Sequence, residues 1–142
     1  CIGCHEDQNQ IPIPKRVMAS QKAPHALTPP EGGTRSFTFD LEIQPILDRA
    51  CIACHNGEGK AFDLRGGKKD KLGYGTSYLN LHPYVHRQGG EGDMVVLQPY
   101  EYHPNTSELV RMLKKGHFNV RLTDKEWRTL YNWIDYNAPD KG

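Results

Sequence analysis

The 142-residue sequence lacks the features that mark nucleic-acid-binding or membrane-spanning chains. Lysine plus arginine (18) and aspartate plus glutamate (17) nearly balance, so the net charge of +1 provides no basic stripe for a polyanion. No apolar run approaches the roughly 20 residues that a membrane-spanning helix requires. We therefore predict no nucleic-acid partner and no transmembrane segment.

Apolar side chains are also scarce, at 37% of the residues, against about 45–50% in ordinary domains when glycine is counted. The length favours one domain with at most a small appendage. A large apolar cofactor that supplies part of the core would explain how so few apolar side chains suffice.

The chain has only four cysteines, and all of them lie in two copies of one pattern. Cys-Ile-Gly-Cys-His occupies residues 1–5, and Cys-Ile-Ala-Cys-His occupies residues 51–55. C-x-x-C-H is the attachment pattern of haem c, in which the two thiols add across two porphyrin vinyl groups and the histidine ligates the iron. In a helical turn, residues three and four apart share a face and can reach one haem edge. We predict two haem c groups, held by Cys1, Cys4, His5, Cys51, Cys54 and His55.

Other uses of paired cysteines fit this pattern less well. A zinc site would close with a second cysteine pair 15–20 residues on or with a later histidine pair, whereas these two pairs are far apart in the sequence. A redox dithiol would not need a histidine directly after the second cysteine in both copies. With all four thiols committed to haem, none remains for a disulfide.

The sequence predicts a mainly α fold with long irregular loops, in two parts. Residues 1–36 contain five prolines, which exclude a long helix, and form an irregular N-terminal haem-binding arm. Residues 37–142 form a cytochrome c-like helical domain around the second haem. Near-helical apolar spacing predicts a helix over about 43–54, with Pro45 in its first turn and the second motif at its C-terminal end.

The last third of the chain carries the clearest helix signals. Residues 107–115 read as a helix that Gly116 ends. Thr123 and Glu126 form a capping box that opens a final helix, which Pro139 ends. The residues between 56 and 105 read as long surface connections with a small helix near 76–82. An apolar stripe at helical spacing marks the inner face of the final helix: Trp127, Leu130, Tyr131 and Ile134.

Each haem iron needs a sixth ligand or keeps an open site, and this choice separates an electron carrier from an enzyme. His117 follows a helix-ending glycine and precedes the final helix, so we predict that it ligates the second iron. For the first iron, His25 is the nearest candidate and His103 the next. An open site or a histidine from a neighbouring molecule remains an alternative. His82 and His86, four residues apart, could share a helical face and suggest a metal pair, but without a nearby carboxylate cluster they read as ordinary surface histidines.

Several short segments of the sequence resemble those of a known group of bacterial cytochromes. These segments are Glu-Ile-Gln-Pro-Ile-Leu-Asp at 42–48, Phe-Asp-Leu-Arg-Gly at 62–66, Thr-Ser-Glu-Leu at 106–109, Lys-Gly-His at 115–117 and Trp-Ile-Asp-Tyr-Asn-Ala-Pro at 133–139. With the first motif, these segments resemble the di-haem region of hydrazine synthase alpha-subunit-like proteins of the planctomycete type.

The resemblance implies that His117 ligates the second haem. It also implies a tyrosine four residues after the first motif histidine, tied to the catalytic haem of the enzyme proper. This chain has Asn9 at that position, so the resemblance implies the fold and an electron-carrying role here rather than hydrazine synthesis.

These observations predict a di-haem c-type cytochrome that carries electrons through two bis-histidine haems, with redox proteins as partners and copies of itself as possible neighbours in a haem chain. The alternative is a di-haem enzyme, peroxidase-like or acting on nitrogen compounds, with one open iron.

Covalent haem attachment in bacteria takes place outside the cytoplasm, so we expect a periplasmic or extracellular location. Because the sequence shows no signal peptide, we expect a mature form or a domain excised from a longer chain.

Overall fold

A computed structural model describes residues 18–29, 33–85, 87 and 98–141 of the protein. The chain divides into two compact units, residues 1–34 and residues 35–142. In the described part of the first unit, a single 3-10 turn covers Met18–Gln21. The first motif, with Cys1, Cys4 and His5, lies outside the described residues, so its role as a haem site stays a prediction.

The described residues of the second unit form four α-helices and no β-strand, which confirms the mainly α prediction. The helices are α1 (Gln44–Ala50), α2 (Thr76–Leu81), α3 (Glu108–Lys115) and α4 (Asp124–Asp135). A π-helical turn, Phe39–Ile43, leads into α1, and 3-10 turns cover His82–Tyr84 and Pro104–Thr106. Across the described ranges, none of the helices combines the length and apolar character needed to cross a membrane.

Helix α1 is shorter than predicted, because it ends at Ala50 and not near residue 54. Pro45 lies in its first turn, where a missing N–H costs no hydrogen bond. Beyond the helix, the Cys51 and Ile52 amides both donate to the Leu47 carbonyl, and Cys51 departs from helical geometry with φ −123°. The second motif therefore forms a turn of its own, in which the His55 amide donates to the Cys51 carbonyl at 2.9 Å.

The core of the second unit is aromatic. Phe39 and Trp133 are fully buried, and their ring centres lie 5.4 Å apart. Tyr78 of α2 packs edge-on against Phe39 at 5.3 Å, so the π-helical turn, α2 and α4 meet at one cluster. The predicted stripe on α4 does face this core, with Leu130 and Ile134 buried and the other two members partly buried, but it omitted Trp133.

The two ends of the second unit are hydrogen-bonded to each other. The Phe39 amide donates to the Asp140 carbonyl at 3.1 Å. The Tyr78 hydroxyl donates to the Ala138 carbonyl, and the Trp133 indole donates to the Pro139 carbonyl. The segment after α4 thus packs back against the π-helical turn before the second motif and against α2, which follows that motif.

The capping box at the start of α4 is confirmed and gives a stability prediction. The Glu126 amide donates to Thr123 Oγ1, and Glu126 Oε2 accepts from the Thr123 amide and hydroxyl at 2.7 and 2.8 Å. Thr123→Ala should lower the free energy of unfolding by about 1 kcal/mol, measured by denaturant titration. Thr123→Ser keeps the hydroxyl and should unfold like the unchanged protein, and equal midpoints for all three would contradict the cap.

Candidate functional site

A cavity of about 830 Å³ opens against the second motif within the second unit. This volume lies in the range of about 300–1,000 Å³ that small molecules and cofactors occupy. Its walls are mostly aliphatic side chains from the four helices and the loops between them, and Cys51, Cys54, His55 and His117 also line it. The principal aliphatic contributors are Leu47, Leu64, Leu81, Leu109, Met112 and Leu130.

The two motif cysteines line the cavity as free thiols, one half-buried and one exposed. Burial raises the pKa of the Cys51 thiol to about 11, against a smaller lowering by the Arg49 guanidinium. Cys51 is therefore a neutral thiol at pH 7, which makes it a poor nucleophile on its own. Cys51 and Cys54 form no disulfide with each other, and the other two cysteines lie outside the described residues.

His55 is oriented by a hydrogen bond to the loop that follows it. Its Nδ1 lies 3.1 Å from the Phe62 carbonyl, and because a carbonyl only accepts, this bond requires the proton on Nδ1. The neutral ring then presents an unprotonated Nε2, the form that ligates a metal. The Phe62 ring also packs against the imidazole at 4.7 Å between centres, so both the rotation and the tautomer of His55 are fixed.

His117 faces His55 across the cavity, with 6.1 Å between ring centres and 37° between ring planes. Helix α3 ends at Lys115, and the φ of 102° at the capping residue Gly116 turns the chain away from the helix. His117, the next residue, lines the cavity. The placement of His117 beside the second motif was expected from its position after a helix-ending glycine. The opposing arrangement of two imidazoles is the central geometric feature of the cavity.

The turn that carries His117 has an unusual backbone. The Val120 amide donates to the His117 carbonyl at 2.8 Å and closes a turn whose two central residues, Phe118 and Asn119, have φ of 44° and 61°. Asparagine tolerates this left-handed region, whereas a bulky residue such as phenylalanine costs roughly 1–2 kcal/mol there. Such a conformation persists only where surrounding contacts fix it. The Phe118 side chain is 85% exposed and contacts the His117 ring edge-on.

An ion pair joins the two sides of the cavity wall. Arg49, on the last turn of α1, donates from Nε and Nη2 to the two carboxylate oxygens of Glu126 at 2.6 and 2.7 Å. Its Nη2 also donates to the Arg121 carbonyl at 3.1 Å. Burial raises the pKa of the Glu126 carboxyl, but the bonds from Arg49 and Thr123 outweigh this and leave it below its ordinary value. The bond to Glu126 raises the pKa of Arg49.

Two imidazoles and two thiols are the side-chain donors that this cavity offers to a metal or cofactor. An imidazole nitrogen binds a metal at about 2 Å and the ring centre lies about 1 Å further out, so imidazoles on opposite sides of one ion stand about 6 Å apart, and closer if the ion is tetrahedral. Among the described residues, no group of three or more His, Cys, Asp and Glu side chains could hold a metal ion alone. The 6.1 Å between the ring centres of His55 and His117 matches this spacing, and the two thiols and the aliphatic walls lie beside the two rings.

The remaining histidines have other surroundings. His25 is exposed in the first unit. His103 caps the Pro104–Thr106 turn, where its Nδ1 accepts from the Asn105 amide at 3.2 Å. Their proposed roles at the first iron stay predictions, because the first motif is outside the described residues. His82 stacks on Tyr78 at 5.2 Å and does not line the cavity, and His86 lies outside the described residues.

Sequence reasoning missed the two features that hold this site together. The Arg49–Glu126 ion pair spans 77 positions and leaves no local signal. The His117 turn has only Asn119 as a hint of left-handed backbone. Comparison with known proteins adds nothing further, since no protein-family model, curated protein or solved structure matches the chain. The resemblance to hydrazine synthase alpha-subunit-like proteins stays a prediction.

Proposed function

We propose that the protein is a di-haem c-type cytochrome that carries electrons outside the cytoplasmic membrane. In this proposal Cys51 and Cys54 would attach the second haem, and His55 and His117 would ligate its iron. The first motif attaches the other haem through Cys1, Cys4 and His5. Redox proteins would be the partners, and the resemblance to the di-haem region of hydrazine synthase alpha-subunit-like proteins belongs to the same proposal.

The observation that carries the proposal is the pair of opposed imidazoles, 6.1 Å apart between ring centres, on an apolar cavity that two thiols also line. A c-type attachment motif requires the thiols and the first imidazole, but not the second. The second imidazole would hold the position on the iron that a substrate would need, which favours electron transfer over catalysis.

The chain's own residues have distinct tasks in this site. Haem iron, when bound, supplies a one-electron redox couple. The Phe62 carbonyl orients His55 and makes its imidazole a stronger donor, since it accepts the Nδ1 proton. The aliphatic walls exclude water, and a histidine in place of the common methionine at position 117 favours a lower reduction potential.

Carbon monoxide separates the carrier from the enzyme, because it binds reduced haem iron only where a position is open or a ligand leaves. We expect both haems of the reduced protein to bind it slowly and to give low-spin spectra in both oxidation states. Stopped-flow absorbance after mixing with carbon monoxide measures this. Rapid binding by half of the haem would contradict the proposal and support a di-haem enzyme with one open iron.

A further inference from the structure

The Arg49 guanidinium connects the helix that leads into the second motif with the loop that follows His117. Arg49 lies two residues before Cys51, and the Arg121 carbonyl to which it donates lies four residues after His117. Both arginines line the cavity. The bidentate bond to Glu126 fixes the plane of the guanidinium, because both its Nε and Nη2 donate to one carboxylate.

Glu126 is itself held by the start of α4, since its carboxylate accepts from the amide and hydroxyl of Thr123. The chain from Arg121 to Thr123 is thus bound to Arg49 at one end and to the α4 capping box at the other. This short segment directly follows the turn with positive φ at Phe118 and Asn119. Such a backbone persists only where the surrounding structure fixes it, and the bond from Arg49 to the Arg121 carbonyl lies directly at the exit of this turn.

We infer that Arg49 is a positioning residue that holds the His117 loop against the second motif, so that His117 stays within ligating distance of the iron. The inference rests on the proposed function. It means that Arg49, a charged residue outside the attachment motif, controls how readily His117 leaves the iron. Arg49 itself contacts neither imidazole. It acts through the Arg121 carbonyl and the Glu126 carboxylate.

The test compares full-length holoproteins in their reaction with carbon monoxide. Arg49→Ala should raise the rate of carbon monoxide binding to the reduced protein at least tenfold for half of the haem, because the released loop lets His117 leave the iron. Arg49→Lys keeps the charge but not the bidentate geometry, and should give a smaller increase. Both variants should still carry two covalently attached haems by mass spectrometry.

Arg35 provides a matched control. It donates from Nε to Glu42 Oε1 at 2.8 Å in an ion pair of similar exposure, and neither partner lines the cavity. Arg35→Ala should bind carbon monoxide at the rate of the unchanged protein. A faster reaction in this variant would mean that loss of any surface ion pair loosens the site, which would overturn the specific role of Arg49.

The outcomes separate this inference from the proposed function. If His117→Ala binds carbon monoxide rapidly but Arg49→Ala and Arg49→Lys do not, the haem ligand assignment stands and the inference about Arg49 is wrong. If His117→Ala also reacts slowly, the ligand assignment fails and the inference fails with it. Should Arg49→Ala not accumulate as folded protein, Arg49→Lys decides, and a rate equal to that of the unchanged protein overturns the inference.

Discussion

Replacing His117 with alanine should convert half of the haem from a low-spin to a high-spin form and open it to carbon monoxide. The reason is geometric: the His117 imidazole stands opposite His55 at 6.1 Å between ring centres, and no third described histidine lines the cavity. Electronic absorption and electron paramagnetic resonance spectra measure the spin state, and the change should be confined to one of two haems.

Two companion variants make this result specific. His117→Met should keep a low-spin iron but raise its reduction potential, because a thioether stabilises the reduced iron relative to imidazole. His82→Ala removes a half-buried histidine of the same unit that lies outside the cavity, and it should leave both spectra unchanged. A low-spin spectrum for both haems in His117→Ala would show that another group ligates the second iron.

Changing Cys51 and Cys54 together to serine should leave a protein with one covalently bound haem. Each thioether bond forms from one thiol and one vinyl group, so both cysteines must be changed to remove covalent attachment, and serine hydroxyls do not add across vinyl groups. Both cysteines line the cavity as free thiols. Mass spectrometry of the denatured chain should show the added mass of a single haem in place of two. Because the aliphatic side chains of the cavity would then lose the haem against which they pack, the second unit should also unfold more readily.

The reciprocal change, Cys1 and Cys4 to serine, serves as the control for this experiment. It should also leave one haem, but this haem should keep the two-histidine spectrum that depends on His117. Two haems in the Cys51/Cys54 variant, or none in the unchanged protein, would contradict covalent attachment at the second motif. A mass matching one haem in the unchanged protein would limit the assignment to a single motif.

Local patterns of the sequence predicted those parts of the fold that depend on neighbouring residues. The capping box of Thr123 and Glu126 and the end of α3 at Gly116 are both where the pattern indicated, because each depends on residues within one helical turn. The predicted end of α1 was wrong, because the prediction carried the helix through the second motif, whereas the backbone leaves helical geometry after Ala50. A cysteine motif that forms its own turn has no periodicity to mark where the helix stops.

The features that the sequence could not indicate are those set by contacts between distant segments. Trp133 is fully buried, packs against Phe39 and donates to the Pro139 carbonyl. The apolar positions counted at i, i+3, i+4 and i+7 from Trp127 do not include it. The left-handed backbone of Phe118 runs against its own preference and exists only in the folded loop. In the site, a motif identifies His55 and a helix end suggests His117, but the 6.1 Å spacing between them is a property of the fold.

The hydrogen bond between the Phe39 amide and the Asp140 carbonyl means that the backbone enters and leaves the second unit at one spot. Segments with adjacent termini tolerate circular permutation and can be inserted into a loop of a larger host without separating the elements on either side. The helical unit therefore has the geometry of a segment that can be moved or permuted as one piece.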